Sequence, residues 1–542
     1  MAHDPVDVLI IGGGITGAGI ARDAAIRGLR TALVERDDFA SGTSSRSSRL
    51  VHGGLRYLEM GDIRLVFEAS RERRTLLRIA PHLVWPCAFL FPLFAGGRVP
   101  RWKLAAGMWI YDLLALFKNV GRHRWLSKRA MLRAQPGLRT NELIGGARYW
   151  DAQCNDARLT LANARDAHRH GALVANYAEV EQLEYAEGRV RGARVTDRMT
   201  GETRSVHADV VVNATGPWSD LLRDDGRRLL RPTKGVHVIV PRARVANSEA
   251  ITLISPIDGR VMFVLPWGSF TYVGTTDTDY TGPPEDVRAT GEDVVYLLRS
   301  ANAVFPDARL QADDVIGTWA GLRPLLRPPK SAAPSEVKRE HKIIEQAGML
   351  SIVGGKLTTY REMSEQMVDR VTVALRALDG RSVPPRAPTG TSPLPGGEVA
   401  DLDILIAEAE REGVDTATAH HLVHAFGSET PAIARLARED PRLAEPIAGG
   451  HPAIRAELVH ALRREMAVTL CDLMMRRTHV FFEVLGNAAA EAAGLVDLVG
   501  EEAGWDGARK ASELSAYLEQ VQRANIFRAE LAEAQESTIP DV

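Results

Sequence analysis

One apolar run that ends in a glycine turn constrains this chain more than any other feature. Val6–Ile11 (VDVLII) reads as a strand buried on both faces. GGGITG follows, then a helix through Ala18–Gly28 and a second strand at Thr31–Glu35. Within that βαβ unit Gly12, Gly14 and Gly17 form GxGxxG. The first glycine permits the tight turn, the second lets a diphosphate approach the backbone, and the third lets helix and strand pack closely. The exposed N–H groups at the helix start then face the phosphates. Glu35 closes the second strand, where an acid hydrogen-bonds ribose hydroxyls and repels a 2′-phosphate. The unit is built for a dinucleotide.

At ~100–200 residues per domain, 542 residues give two or three domains. The 67 Lys and Arg nearly balance the 69 Asp and Glu, a net charge of -2, so nothing draws the whole chain to nucleic acid. The three cysteines form no CxxC pair, which argues against a zinc or dithiol site. The histidines have no metal-ligand spacing, and no metal is expected. The start MAHDPVDVLIIGGG lacks a basic n-region, so no secretory signal is expected. Val206–Thr215 reads as another buried strand, and residues 231–280 have the short apolar runs of an antiparallel sheet. Gly348–Tyr360 reads as strand, glycine turn and helix. Residues 379–397 are rich in Pro, Gly and Ser and read as a linker before a helical C-terminal region.

Three later segments specify the nucleotide. SGTSSRSSRLVHGGLRYLE (41–59), NATGPW (213–218) and GGKLTT (354–359) resemble what FAD-dependent oxidoreductases of the D-amino-acid-oxidase type place around the flavin. GGKLTT is not a phosphate-binding P-loop, because Leu350 stands where a glycine is needed and Leu357 where Ser or Thr is needed. HGG (52–54) has no accompanying GxSxG nucleophile. The resemblance implies FAD held by Gly12, Gly14, Ile15, Thr16, Gly17, Glu35, Arg36, Thr43, Ser44, Ser45, Ser48, His52, Gly53, Gly54, Leu55, Gly216, Trp218, Gly355, Lys356, Leu357 and Thr358. Four cations, Arg56, Arg323, Arg339 and Lys356, stand in loops or strands that would surround the flavin. They suggest a small anionic substrate, since arginine offers phosphate or carboxylate a bidentate fork.

The motifs IGGGITGAGIARDAAIRGL, TSSRSSRLVHGGLRYLE, DARLTLANARDA, VNATGPW, KGVHVIVPR, GTTDTDY, GLRPLL and VGGKLTTYREM closely resemble the FAD-dependent glycerol-3-phosphate dehydrogenases. They run from residue 10 to residue 363 in that family's order, and ELVHALRREMAVTLCDLMMRRT (457–478) resembles its helical cap more loosely. The resemblance implies an α/β fold: a Rossmann-like FAD-binding domain of the D-amino-acid-oxidase or glutathione-reductase type, an antiparallel substrate domain and an all-α C-terminal cap. The FAD domain is expected at 1–80, 145–230 and 325–378, the substrate and membrane-facing domain at 81–144 and 231–324, the linker at 379–397 and the cap at 398–542. It implies hydride transfer from C2 of sn-glycerol 3-phosphate to FAD, dihydroxyacetone phosphate as product, and onward transfer to membrane ubiquinone or menaquinone.

On that reading Arg56, Tyr57, Lys234, Arg323, Arg339, Lys356 and Thr359 bind substrate. Arg323, His237 and Arg56 are the catalytic candidates, with His237 the natural base and Arg323 the stabiliser of a developing alkoxide. The rivals are a glycerol-3-phosphate oxidase that reduces oxygen, another FAD-dependent amine or amino-acid oxidase, and a non-catalytic flavin-binding partner protein.

Residues 99–128 (VPRWKLAAGMWIYDLLALFKNVGRHRWLSK) suit a helix lying in a membrane interface. Trp102, Ala106, Trp109, Leu113 and Leu116 share one side, while Lys103, Lys118, Arg122, Arg124 and Lys128 supply positive charge. A core helix of the substrate domain is the competing reading. The expected location is cytoplasmic, peripherally bound at the inner face of the cytoplasmic membrane. A homodimer stays open.

Overall fold

The computed structural model describes residues 5–54, 62–115, 120–223, 226, 228–327 and 341–536. Its elements include β1 (Val6–Ile11), α1 (Ile15–Ile26), β2 (Thr31–Val34), α2 (Arg101–Leu114), α3 (Asp156–Arg169), β3 (Thr203–Asn213), β4 (Leu230–Pro241), β5 (Gly317–Leu326), β6 (Met349–Val353), α4 (Tyr360–Asp379) and α5 (Gly507–Glu536).

The first sheet is the nucleotide layer. β1 lies between β2 and β3, parallel to both, and β6 continues the parallel set beside β3. Lys342–Gln346 adds an antiparallel edge to β6. All six side chains of β1 are buried, as a strand covered on both faces requires. Asp7 is tolerated there because Arg30 donates to both of its carboxylate oxygens. Helix α1 starts at Ile15, three residues before the expected start at Ala18, since the glycine turn itself caps it.

The second sheet is mostly antiparallel and has ten strands among the described residues. It holds the strands expected within 231–280 and draws in three pieces expected in the FAD domain. Leu143–Cys154 pairs along its length with Val84–Phe94, from Val84 opposite Cys154 to Phe94 opposite Leu143. Leu50–Val51 then pairs with the same strand. β5 pairs with β4 throughout, so Leu325 and Leu326 also belong here. The boundaries at 145 and 325 therefore move, because partner strands distant in sequence complete the ladder.

Residues 379–397 are not a free linker. Arg22 of α1 donates to the carbonyls of Thr389 and Ser392, Leu394 is fully buried, and Arg381 bridges Asp7 and Asp209. Beyond this strap the chain is helical, ending in α5, which packs back onto the second sheet and the helix Gly291–Asn302. Among the described residues no helix is long and apolar enough to cross a membrane.

Candidate active site

Alternation along two paired strands decides which side chains reach the site. Gly235 and His237 on β4, with Gly321, Arg323 and Leu325 on β5, border a cavity of about 510 Å³. Lys234 faces the other way for the same reason. Its ammonium pairs with Asp293 at 2.5 Å, and Lys234 is not at the cavity. The opposite wall is Gly12, Gly14, Ile15 and Thr16 at the start of α1. Glu35 and Arg36, Thr43, Ser44, Ser48 and His52, Gly216 and Trp218, and Gly355, Lys356, Leu357 and Thr358 of the glycine turn after β6 line it as well.

Other expected residues act from behind or lie elsewhere. Gly17 is under the turn, where any Cβ would overlap the Gly12 carbonyl oxygen. Ser45 is buried outside the cavity lining, and Thr359 is buried at the start of α4. The Gly53 N–H donates to the Tyr111 hydroxyl and to Asp151, both at 3.0 Å, and Gly54 borders a second cavity. Leu55, Arg56, Tyr57 and Arg339 lie outside the described residues.

The walls fit a dinucleotide bearing a diphosphate. Gly12 has φ 110°, and a Cβ there would come within 2.8 Å of the Ala214 carbonyl oxygen, so only backbone can line this point. Ser44 Oγ accepts from the Ile15 N–H at 2.9 Å and fixes the loop against the start of α1. Glu35 accepts from the N–H groups of Gly13 at 2.6 Å and Asp37 at 2.9 Å. Burial pushes its carboxyl up to about 7 against those bonds.

Arg46, which the sequence reading passed over inside SGTSSRSSR, also borders this cavity. Its guanidinium makes no ion pair among the described residues. Burial, then the fields of Arg476 and Arg523, push it down to about 10. Only the field of Asp37 opposes this, and a bound diphosphate would add counter-charge. The signal was present, since Arg46 stands in the same 41–59 segment as Arg56, the one cation of that segment singled out.

Arg323 donates to Asp277 and to Thr275 Oγ1, both at 3.0 Å, and to the Thr276 carbonyl at 3.1 Å. Asp277 and Thr275, within GTTDTDY, were not singled out from sequence. A half-buried arginine on a strand needs such a carboxylate. His237 stacks on Trp319 at 4.9 Å between ring centroids, and its Nε2 lies 2.9 Å from Ser48 Oγ. Burial, then Arg323 and Arg49, hold its pKa well below the usual histidine range, so the ring is neutral.

The second cavity, about 390 Å³, shares Ser48, Leu50, His52 and Arg323 with the first. Phe89, Phe91, Leu104, Ile110 and Phe263 give it an apolar lining. Among the described residues one cluster, Glu429, His460 and Glu465, has metal-like spacing. Arg165 and Arg158 pair with its carboxylates at 2.7 and 2.6 Å, which makes it an ion-pair network.

A βαβ glycine turn facing an antiparallel substrate sheet defines an FAD-dependent oxidoreductase. Residues 7–361 match the family model described as FAD dependent oxidoreductase, and residues 387–510 match the C-terminal domain of alpha-glycerophosphate oxidase. The chain is 39% identical over 539 residues to the mitochondrial glycerol-3-phosphate dehydrogenase of Bos taurus, covering 94% of this chain and 72% of that one. It is 36% identical to the glycerol-3-phosphate dehydrogenase of Synechocystis sp., covering 95% and 96%. The structure of the glycerol-3-phosphate dehydrogenase from Bacillus halodurans, complexed with FAD, superposes with TM-score 0.80 at 34% identity, covering 97% and 96%. The chain belongs to the FAD-dependent glycerol-3-phosphate dehydrogenase family, and FAD is its cofactor.

Proposed function

We propose that this chain oxidises sn-glycerol 3-phosphate to dihydroxyacetone phosphate and passes the electrons to a membrane quinone, ubiquinone or menaquinone. The observation that carries the reading is the place of Arg323, on the wall shared by both cavities and braced by Asp277. Bound FAD supplies the hydride acceptor. The chain's own part is charge, position and one proton. Arg323 favours the alkoxide form of the substrate hydroxyl, and Lys356 adds positive charge at the glycine turn after β6. Ser48 borders both cavities, and its contact with His237 gives the hydroxyl proton a route to Nε2. Arg56, Tyr57 and Arg339 remain candidates for the phosphate end.

The acceptor and the membrane reading rest on α2. Its inner face, with Leu104, Met108 and Tyr111, is buried, whereas Trp102 is 73% exposed, Trp109 60% and Leu113 57%. A core helix would hide these. Ala106, Arg122, Arg124 and Lys128 are exposed as well, while Leu116 and Lys118 lie outside the described residues. Ile63 and Ile110 are both exposed and both border the second cavity, so its mouth opens on this apolar surface. An apolar cavity leading from an interfacial helix to Arg323 suits a lipid-soluble acceptor better than oxygen. On this reading the chain docks peripherally at the inner face of the membrane.

Full-length Trp102→Ala/Trp109→Ala should lose sedimentation with anionic liposomes. It should also lose reduction of a long-chain quinone carried in them, while dye-linked activity stays unchanged. Unchanged sedimentation contradicts the membrane reading. Hydrogen peroxide formed at the rate of substrate oxidation contradicts the quinone assignment.

A further inference from the structure

Among the contacts between the helical domain and the flavin-binding part, one carboxylate, Asp38, lies in the loop that follows Glu35. Asp38 follows Glu35, Arg36 and Asp37 after β2 and is fully buried. Arg477 donates to its two oxygens at 2.7 and 2.9 Å, and Arg476 Nε donates to Oδ2 at 2.5 Å. Both arginines are themselves buried and come from residues 438 and 439 positions further along the chain.

Two consecutive residues of an ordinary helix point about 100° apart. Here they converge because Leu473–Arg477 is a π-helical turn, with Thr478 N–H bonded to the Leu473 carbonyl at 3.0 Å. Each arginine also has a partner inside the helical domain. Arg476 reaches Asp472 at 2.5 Å and Arg477 reaches the Glu465 carbonyl at 2.8 Å. The link is thus anchored at both ends. Burial alone would raise the Asp38 carboxyl, but the two arginines outweigh it and hold it below the usual carboxylate range.

The loop so held is the one that presents Glu35. It also braces the glycine turn, since Ala40 N–H donates to the Gly13 carbonyl at 3.1 Å and Phe39 packs on Gly13. Asp38 therefore couples a domain outside the cavity to the segment that closes its ribose end.

We propose that Arg476, Arg477 and Asp38 form a retention clamp, through which the helical domain holds the 35–38 loop closed over bound FAD and sets how slowly FAD leaves. The proposal rests on the reading of Glu35 as the ribose ligand. Asp38 is a positioning residue, acting through Glu35.

The test uses the full-length holoenzyme. Asp38→Asn should speed FAD dissociation, followed by flavin fluorescence, by about tenfold or more. On heating, flavin should be released below the far-ultraviolet circular dichroism transition, which a purely structural role would not produce. Release at the wild-type rate, or only together with unfolding, overturns the clamp. Should Asp38→Asn fail to fold, hydrogen exchange on wild type decides. Adding FAD to the FAD-depleted chain should protect the amides of 473–478, because coupling between two sites is reciprocal. No added protection there overturns the proposal. Glu35→Gln checks the underlying reading separately: unchanged FAD affinity in that variant removes Glu35 from the site, whatever the clamp variant does.

Discussion

Arg323→Ala should lower kcat/KM for glycerol 3-phosphate by about 10²–10³-fold, roughly 3–4 kcal/mol of transition-state stabilisation, while the protein stays yellow. The guanidinium borders both cavities, and its removal withdraws the positive charge nearest the shared wall. Part of the loss has a second origin. Asp277 is buried and would lose this ion pair. The Arg323→Ala/Asp277→Asn double variant separates the two, because it removes the charge that Arg323 pairs with and leaves the missing stabilisation. Arg323→Lys keeps a charge but loses the fork to Asp277, Thr275 and the Thr276 carbonyl, and should fall between. Arg323 also helps to hold the His237 pKa down, so its loss raises that pKa. The acid limb of the kcat/KM profile should move up in pH with it. Steady-state rates with an artificial dye, set against flavin content, measure all of this. Near-normal turnover in Arg323→Ala removes the residue from the site.

Gly17→Ala should strip the protein of FAD. The added Cβ would overlap the Gly12 carbonyl oxygen, and backbone cannot step aside as a flexible side chain does. Either α1 moves off β1 or the turn opens, and both disturb the phosphate cradle. Overpacking of this kind costs about 1–3 kcal/mol or more, which at the upper end is on the order of 100-fold in affinity. Gly494→Ala is the matched control. It sits in a helix with nothing within 4 Å of the new methyl, so flavin content should be unchanged. Flavin absorbance per protein after gel filtration reads both variants. Retention of FAD by Gly17→Ala would contradict the role given to the turn.

The parts of this fold that were legible in the sequence are those that depend on local spacing. An uninterrupted apolar run announces a strand buried on both faces, and β1 is one. Glycines at fixed offsets announce a turn that only backbone can line, and Gly12 has the φ that demands it. Arg323 stood out as a cation in a glycine- or strand-rich segment and His237 through the family resemblance, and both border the first cavity. Lys234 shows the limit. Its chemistry suited an anion, but alternation turns it to the far side, where Asp293 was waiting from a helix start 59 positions away.

Pairings over long separations carry no local signature. Nothing near Asp38 foretells Arg476 and Arg477, and nothing in Leu143–Cys154 says that its ladder partner is Val84–Phe94. The strap at 379–397 misled for a related reason. Pro, Gly and Ser mark irregular backbone, yet irregular backbone can still be buried when arginines such as Arg22 satisfy its carbonyls.

On the proposed function, glycerol 3-phosphate gives its hydride to FAD held in the first cavity. Anaerobic titration of the purified holoprotein with sn-glycerol 3-phosphate tests it directly. The flavin absorbance should bleach in proportion to substrate, with dihydroxyacetone phosphate formed in equal amount. A flavin spectrum that stays oxidised at saturating substrate would contradict the account.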